Sequence, residues 1–212
     1  MQLLNFDAFL VAITLLTITP GIDTVLVIRN SSRSGAVDGV VTSFGICSGL
    51  FVHATLSAAG ISAILLQSVE LFTVIKWLGA AYLIWLGIGG VKAAFNGHVA
   101  LAINDVQSRS VNVSRSLREG FLSNVLNPKT AVFYLAFLPQ FINPEYSPFL
   151  QAMTMAGIHF IIAMLWQSLL AGAVSSAQRF FANRVVLRWM DGITGGVLVF
   201  LGSKLILDYP KE

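Results

Sequence analysis

Charge and sulfur are what this sequence has least of. Of its 212 residues, 11% are Asp, Glu, Lys or Arg, where a soluble globular domain carries about 25%. That scarcity excludes an ordinary water-facing domain. A single cysteine, Cys47, excludes an internal disulfide and a C-x-x-C redox pair. The three histidines, His53, His98 and His159, never stand three or four residues apart. Clustered donors for a transition metal are therefore not visible, and no metal or other cofactor is expected. No basic stretch is interleaved with aromatics, which argues against a nucleic-acid partner. The chain has no H-E-x-x-H, no G-x-S-x-G and no phosphate loop, since Gly87, Gly89 and Gly90 follow no strand. Without a nucleophile–base pair, the chain is not expected to be an enzyme. The start, MQLLNFDAFL, has no basic n-region, so no signal peptide is read there.

What is present is apolar. Hydrophobic residues make up 56% of the chain and the mean hydropathy is +0.78. A bilayer crossing needs about 20 such residues. Six runs qualify, at about 6–28, 40–66, 72–94, 120–142, 149–174 and 189–207. The expectation is an all-α membrane protein with six transmembrane helices and the lipid bilayer as its surroundings. Basic residues fall almost wholly in alternate connections: Arg29 and Arg33, then Lys92, Arg109, Arg115 and Arg118, then Arg179, Arg184 and Arg188. The positive-inside rule puts these in the cytoplasm and both termini outside. Loop 96–118 then joins two three-helix halves, 1–95 and 119–212, with Asn104 to Arg118 reading as a flexible joint. Three spans per half make the second half inverted, as in many secondary transporters.

Two spans, the first and the fourth, are interrupted by proline. Thr19-Pro20-Gly21-Ile22-Asp23 lies in the first, and Asn127-Pro128-Lys129 in the fourth. Proline removes a donor and clashes with the preceding turn. Broken backbone at membrane depth survives only inside protein or around a water-filled cavity. Paired breaks of this kind are the best pointer in a sequence to a transporter's binding site.

Each polar residue near the breaks has a functional and a plainer reading. Asp23 is suited to a proton, a cation or a substrate amine; its plain role is to be held by amides freed at the break, near a helix N-terminus. Lys129 is suited to a substrate carboxylate; its plain role is to reach the interface or to face Asp23. Asn124 and Asn127 add polar groups to the site, or bond carbonyls that Pro128 leaves free. His53 and His159 are candidates for a proton relay, or simply bond neighbouring helices. Trp85 and Trp189 read as belt or packing aromatics. Gly45 and Gly49, with His53 and Ser57 at the same four-residue step, mark one face of the second helix for close approach. Gly192, Gly195, Gly196 and Gly202 do so for the sixth, and such faces also permit a homo-oligomer.

These residues resemble the LysE/RhtB family of amino-acid exporters. The family's P-G-P is matched by Pro20-Gly21-Ile22, with isoleucine in place of its second proline. Its K-W-x-G-A-x-Y-L is matched by Lys76 to Leu83, its G-F-x-x-N-x-x-N-P-K by Gly120 to Lys129, and its F-L-P-Q-F by Phe137 to Phe141. The resemblance implies export of amino acids or related zwitterions across a bacterial inner membrane, coupled to an ion gradient. The expected substrate or ion site comprises Thr19, Pro20, Gly21, Asp23, Asn124, Asn127, Pro128 and Lys129. A metal-ion exporter on the same scaffold, or a non-transporting helical membrane protein, is the alternative.

Overall fold

The computed structural model describes residues 4–65, 69–96, 110–174 and 183–207, and all regular structure in them is helical. The chain opens with α1 (Phe6–Ile18) and α2 (Ile22–Ser34), two halves of one predicted span that bend by 48° at Thr19–Gly21. Gly35, at φ 87°, ends α2 in a conformation that side chains resist. The chain turns there directly into α3 (Ala36–Leu65). Next come α4 (Val69–Asn96), α5 (Val113–Val125) and the short α6 (Pro128–Val132). A π-helical turn, Phe133–Phe137, and a 3-10 turn, Leu138–Phe141, lead on to α7 (Pro148–Gly172) and α8 (Arg184–Leu207).

Among the described residues α3 and α7 are each long and apolar enough to cross a membrane, and α1 with α2, bent at the break, has the length and composition of a third, broken span or of a re-entrant loop. Two expectations need revision. The joint over Asn104 to Arg118 is not wholly irregular, because Val113 to Arg118 already lie in α5, whose first turn is capped by the Asn112 side chain. The fourth span is also less regular than one proline break implies. Pro128 starts α6, and Pro139, eleven residues on in Leu-Pro-Gln, falls in the 3-10 turn. Each proline withholds a donor, and the ladder shifts from α to π to 3-10 between them. Residues 97–109 of the connecting loop, with His98 and Arg109, and the position of Arg179 lie outside the described residues.

Inside lipid there is little hydrophobic gain between helices, so close approach at small residues carries much of the packing. The structure has two such seams. A Cβ placed on Gly45 would stand 2.3 Å from the Leu117 carbonyl oxygen, and one on Gly120 would stand 2.2 Å from that of Thr42. Helices α3 and α5 therefore cross backbone on backbone. The second seam joins α4 to α8: Gly87 and Gly195 would each drive a Cβ to within 2.6 Å and 2.5 Å of the other's carbonyl oxygen. The predicted face of the second helix is thus real. Gly45 and Gly49 meet α5, while His53 and Ser57, further along, bond the carbonyls of Asn124 and Tyr134. An apolar core of Phe9, Ile13, Leu50, Phe137 and Met155 fills the space between α1, α3, the π-turn and α7.

Candidate substrate site

The two breaks face each other and satisfy each other. Asp23 sits in the first turn of α2, where the helix dipole favours an anion. Its carboxylate accepts from Ser123 Oγ at 2.7 Å, Asn124 Nδ2 at 3.0 Å and Asn127 Nδ2 at 3.1 Å. The donors are therefore side chains of α5 and of its broken end, not amides of the Pro20-Gly21 break itself. In return, Lys129 Nζ donates to the carbonyls of Leu16 at 3.1 Å and Thr19 at 3.2 Å, the oxygens that end α1. The sequence leaves open whether Asp23 and Lys129 pair; the ion pairs among the described residues involve Arg29, Arg33 and Arg115 instead. Lys129 is a cap on one broken helix carried by the other.

The asparagine side chains do not bond the carbonyl freed by Pro128. That oxygen, on Asn124, accepts from the Asn127 backbone at 2.9 Å and from His53 Nε2 at 3.0 Å. Asn127 Oδ1 instead accepts from the Lys129 backbone at 3.0 Å and starts α6. His159 is likewise fully engaged. Thr17 Oγ1 donates to the Ile13 carbonyl at 2.7 Å, so its lone pair takes the Nε2–H of His159 at 3.1 Å. That leaves Nδ1 to accept from the Tyr134 hydroxyl at 3.1 Å. The two histidines, far apart in sequence, lie against one ring: each is centred 5.9 Å from Tyr134.

Between the breaks is a cavity of about 50 Å³, lined by Thr19, Gly21, Asp23, Asn127, Lys129 and His159 among others. A water needs roughly 10–15 Å³ on this measure, so the space holds a few waters and is far below a ligand pocket of some 300 Å³. Pro20 does not line this cavity; it borders a larger one, of about 450 Å³, between the first break and the α4–α8 pair. Lys129 and Thr19 belong to the walls of both. Pro128 is exposed and shapes the site only by ending α5.

Ser123, which donates to Asp23, and Gln167 both escaped the sequence reading. Gln167 lines the smaller cavity, and its Oε1, like Asn124 Oδ1, is buried with no partner. The signal was available, because His159, Ala163 and Gln167 recur at four-residue steps along one face of α7. Among the described residues no three of His, Cys, Asp or Glu come together as a metal site.

Elements α2 and α5 run side by side in opposite directions, joined by polar contacts along their length. Beyond Asp23, Arg29 and Asn30 bond Glu119 at 2.9 and 3.2 Å, and Arg33 reaches Ser116 at 3.4 Å. At that far end Arg33 holds the fully buried Asp38 through Nε and a terminal nitrogen, at 3.2 and 2.8 Å, and Ser116 donates to the same carboxylate.

A helical membrane bundle with two facing proline breaks and a small polar cavity between them is the architecture of a solute translocator. The LysE type translocator model matches residues 14–209, and the chain belongs to that family. It is 34% identical over 205 residues to the uncharacterized membrane protein YrhP of Bacillus subtilis, covering 93% of this chain and 96% of that one. It is 32% identical to the homoserine/homoserine lactone efflux protein of Salmonella typhimurium, covering 87% and 83%. A leucine efflux protein of Klebsiella pneumoniae is 28% identical, with 94% and 92% covered. No solved structure matches.

Proposed function

We propose that this protein exports amino acids or related small zwitterions from a bacterial cytoplasm, as a secondary active transporter working by alternating access. The reading rests on family membership, on relatives named for efflux, and above all on the mutual capping of the two broken helices around one polar cavity. The smaller cavity is too tight for an amino acid, so the arrangement is a closed state that has to open for loading.

In this mechanism the substrate substitutes for bonds that the closed protein makes to itself. A carboxylate draws Lys129 Nζ away from the Leu16 and Thr19 carbonyls and takes up donors such as Asn127 Nδ2. An ammonium is received by Asp23, with the unpartnered oxygens of Asn124 and Gln167 beside it. Exchange of one set of bonds for another keeps the desolvation cost of entry small, since no buried charge is left bare. A coupling proton would act at Asp23 or through His53 and His159, which share contact with Tyr134. The basic connections lie in the cytoplasm and both termini outside, with α4, the α5–α6 segment and α8 as the other three crossings, and two inverted halves result.

The test is export from dipeptide-fed cells. Strains carrying the wild type, Asp23→Asn or an empty vector are loaded with a panel of dipeptides, and the free amino acids released are followed. Wild type should extrude at least one residue type faster than the empty vector. Asp23→Asn should lower that rate about 100-fold or more at equal membrane abundance, since an uncharged amide holds neither a proton nor a cation. No accelerated release with wild type would overturn the exporter reading, and an unimpaired Asp23→Asn would reduce Asp23 to a structural cap.

A further inference from the structure

The larger cavity poses a question that the clasp between the breaks does not answer. It has a volume of about 450 Å³, within the range of roughly 300–1,000 Å³ typical of small-molecule sites. Its walls are mostly apolar, formed by Pro20, Trp85, Ile88 and Leu198 with the bare helix surface at Gly89, and Lys92 and Asp191 stand at its border. Lys129, which caps α1 from the small cavity, also belongs to this wall. One side chain thus stands at the boundary between a tight polar space and a roomy apolar one.

Gly89 is the second observation. Glycine inside a helix costs about 1 kcal/mol relative to alanine, so a packing reason is worth looking for at each. Its neighbours Gly87 and Gly90 have one. A Cβ on either would meet α8 backbone, at 2.6 Å from the Gly195 oxygen and 3.1 Å from the Asp191 oxygen respectively. Gly89 has neither constraint: it has no positive φ, and a Cβ there would meet nothing within 4 Å. What its missing side chain leaves is space in the larger cavity. Trp85, one turn earlier on α4, is 67% exposed and lines the same cavity.

We infer that the larger cavity is the side-chain compartment of the substrate site, that it takes amino acids with long apolar side chains, and that Gly89 sets its depth. This rests on the amino-acid exporter reading. The substrate's charged end lies at Lys129 and Asp23, and its side chain extends past Pro20 against Trp85 and Ile88. Small amino acids leave most of the compartment unfilled and forgo that contact. A side chain grown from Gly89 fills the compartment without touching the clasp, so it discriminates by size and leaves the charged end as it was.

Counterflow in proteoliposomes separates the possibilities. Wild type, Gly89→Ala, Gly89→Leu and Gly196→Leu are reconstituted at matched content and tested with alanine, leucine and phenylalanine. Gly196 is an exposed α8 glycine with nothing within 4 Å that does not line the cavity, so it controls for a helix glycine replaced at no site. The expected result is wild-type preference for leucine and phenylalanine over alanine. Gly89→Leu should depress the two large substrates about tenfold or more while alanine exchange persists, with Gly89→Ala intermediate and Gly196→Leu unchanged. If Gly89→Leu lowers all three equally, or none, the compartment holds no substrate side chain, as it would if a lipid tail filled it. If wild type exchanges only alanine, the apolar-substrate assignment falls and the exporter reading stands. If wild type exchanges no amino acid, both fall together.

Discussion

Two polar clusters join α2 to α5, and they are built on opposite principles. At the start of α2, Asp23 is held by three neutral donors, beside a cavity and two buried acceptors without partners. At its end, Arg33 and Asp38 are paired charge to charge, with Asp38 fully buried and Ser116, Glu119, Arg29, Asn30 and Arg115 filling in around them. The first cluster is loosely satisfied and adjoins space. The second is tightly satisfied and adjoins backbone-on-backbone packing at Gly45 and Gly120. A transporter needs both: a region whose bonds can be exchanged for a solute's, and a region that keeps the helices in register while that happens.

The comparison predicts opposite phenotypes for its two aspartates. Asp38→Ala strips the partner from the buried Arg33 and should cost about 3–5 kcal/mol, seen as a large loss of membrane yield and of melting temperature in detergent. Asp23→Asn, by contrast, should leave yield near wild type while removing export. Equal melting temperatures for the Asp38→Ala protein and wild type would erase the distinction. Gly120→Ala comes next: its Cβ would lie 2.2 Å from the Thr42 carbonyl oxygen. Forcing α3 and α5 apart should cost roughly 1–3 kcal/mol, read as a lower melting temperature. Gly196→Ala, facing open space, should not show it.

The smallest effect concerns Glu119, which precedes the fourth span. Its partial burial works against the charged form. Bonds from Arg115 and Asn30, and the charges of Arg115 and Arg29, nevertheless hold its carboxyl below the ordinary range. A lowered carboxyl contributes stability that is complete above its unfolded value, about 4.3, and is lost as pH falls through the lower folded one. Melting temperature should therefore be flat from pH 8 to 5 on this account and decline below about pH 4. Glu119→Gln should cost about 0.5–1 kcal/mol at neutral pH, as suits a half-exposed network, and should flatten that acid decline. An unchanged acid limb in Glu119→Gln would assign the decline to other groups.

How much of this was legible beforehand follows from the kind of signal each residue carries. The all-helical membrane class, the two breaks and the glycine faces follow from local rules: apolar run length, missing proline donors and small residues at four-residue steps. The partners of Asp23 and Lys129 follow from no such rule. Which helices adjoin across the breaks is a tertiary fact, and a paired aspartate and lysine look alike in sequence whether they bond each other or each bond a neighbour's broken end. The π and 3-10 turns after α6 were hidden for a similar reason, since Pro139 could have been read as the close of a helix. Arg33 was read only as loop charge and Asp38 not at all, because the tight turn at Gly35 that folds one onto the other is a matter of one backbone angle.

The cap that Lys129 places on α1 has a consequence for leakage. A channel through a bundle of this size needs only one helix to drift for solvent to thread past it. Here the free end of the first broken helix is tethered to the side chain of the second, so neither can slip alone without taking the Lys129 donor from the Leu16 and Thr19 carbonyls. For the exporter proposed above, an empty cycle would have to break these bonds with nothing to replace them, which keeps an idle carrier shut.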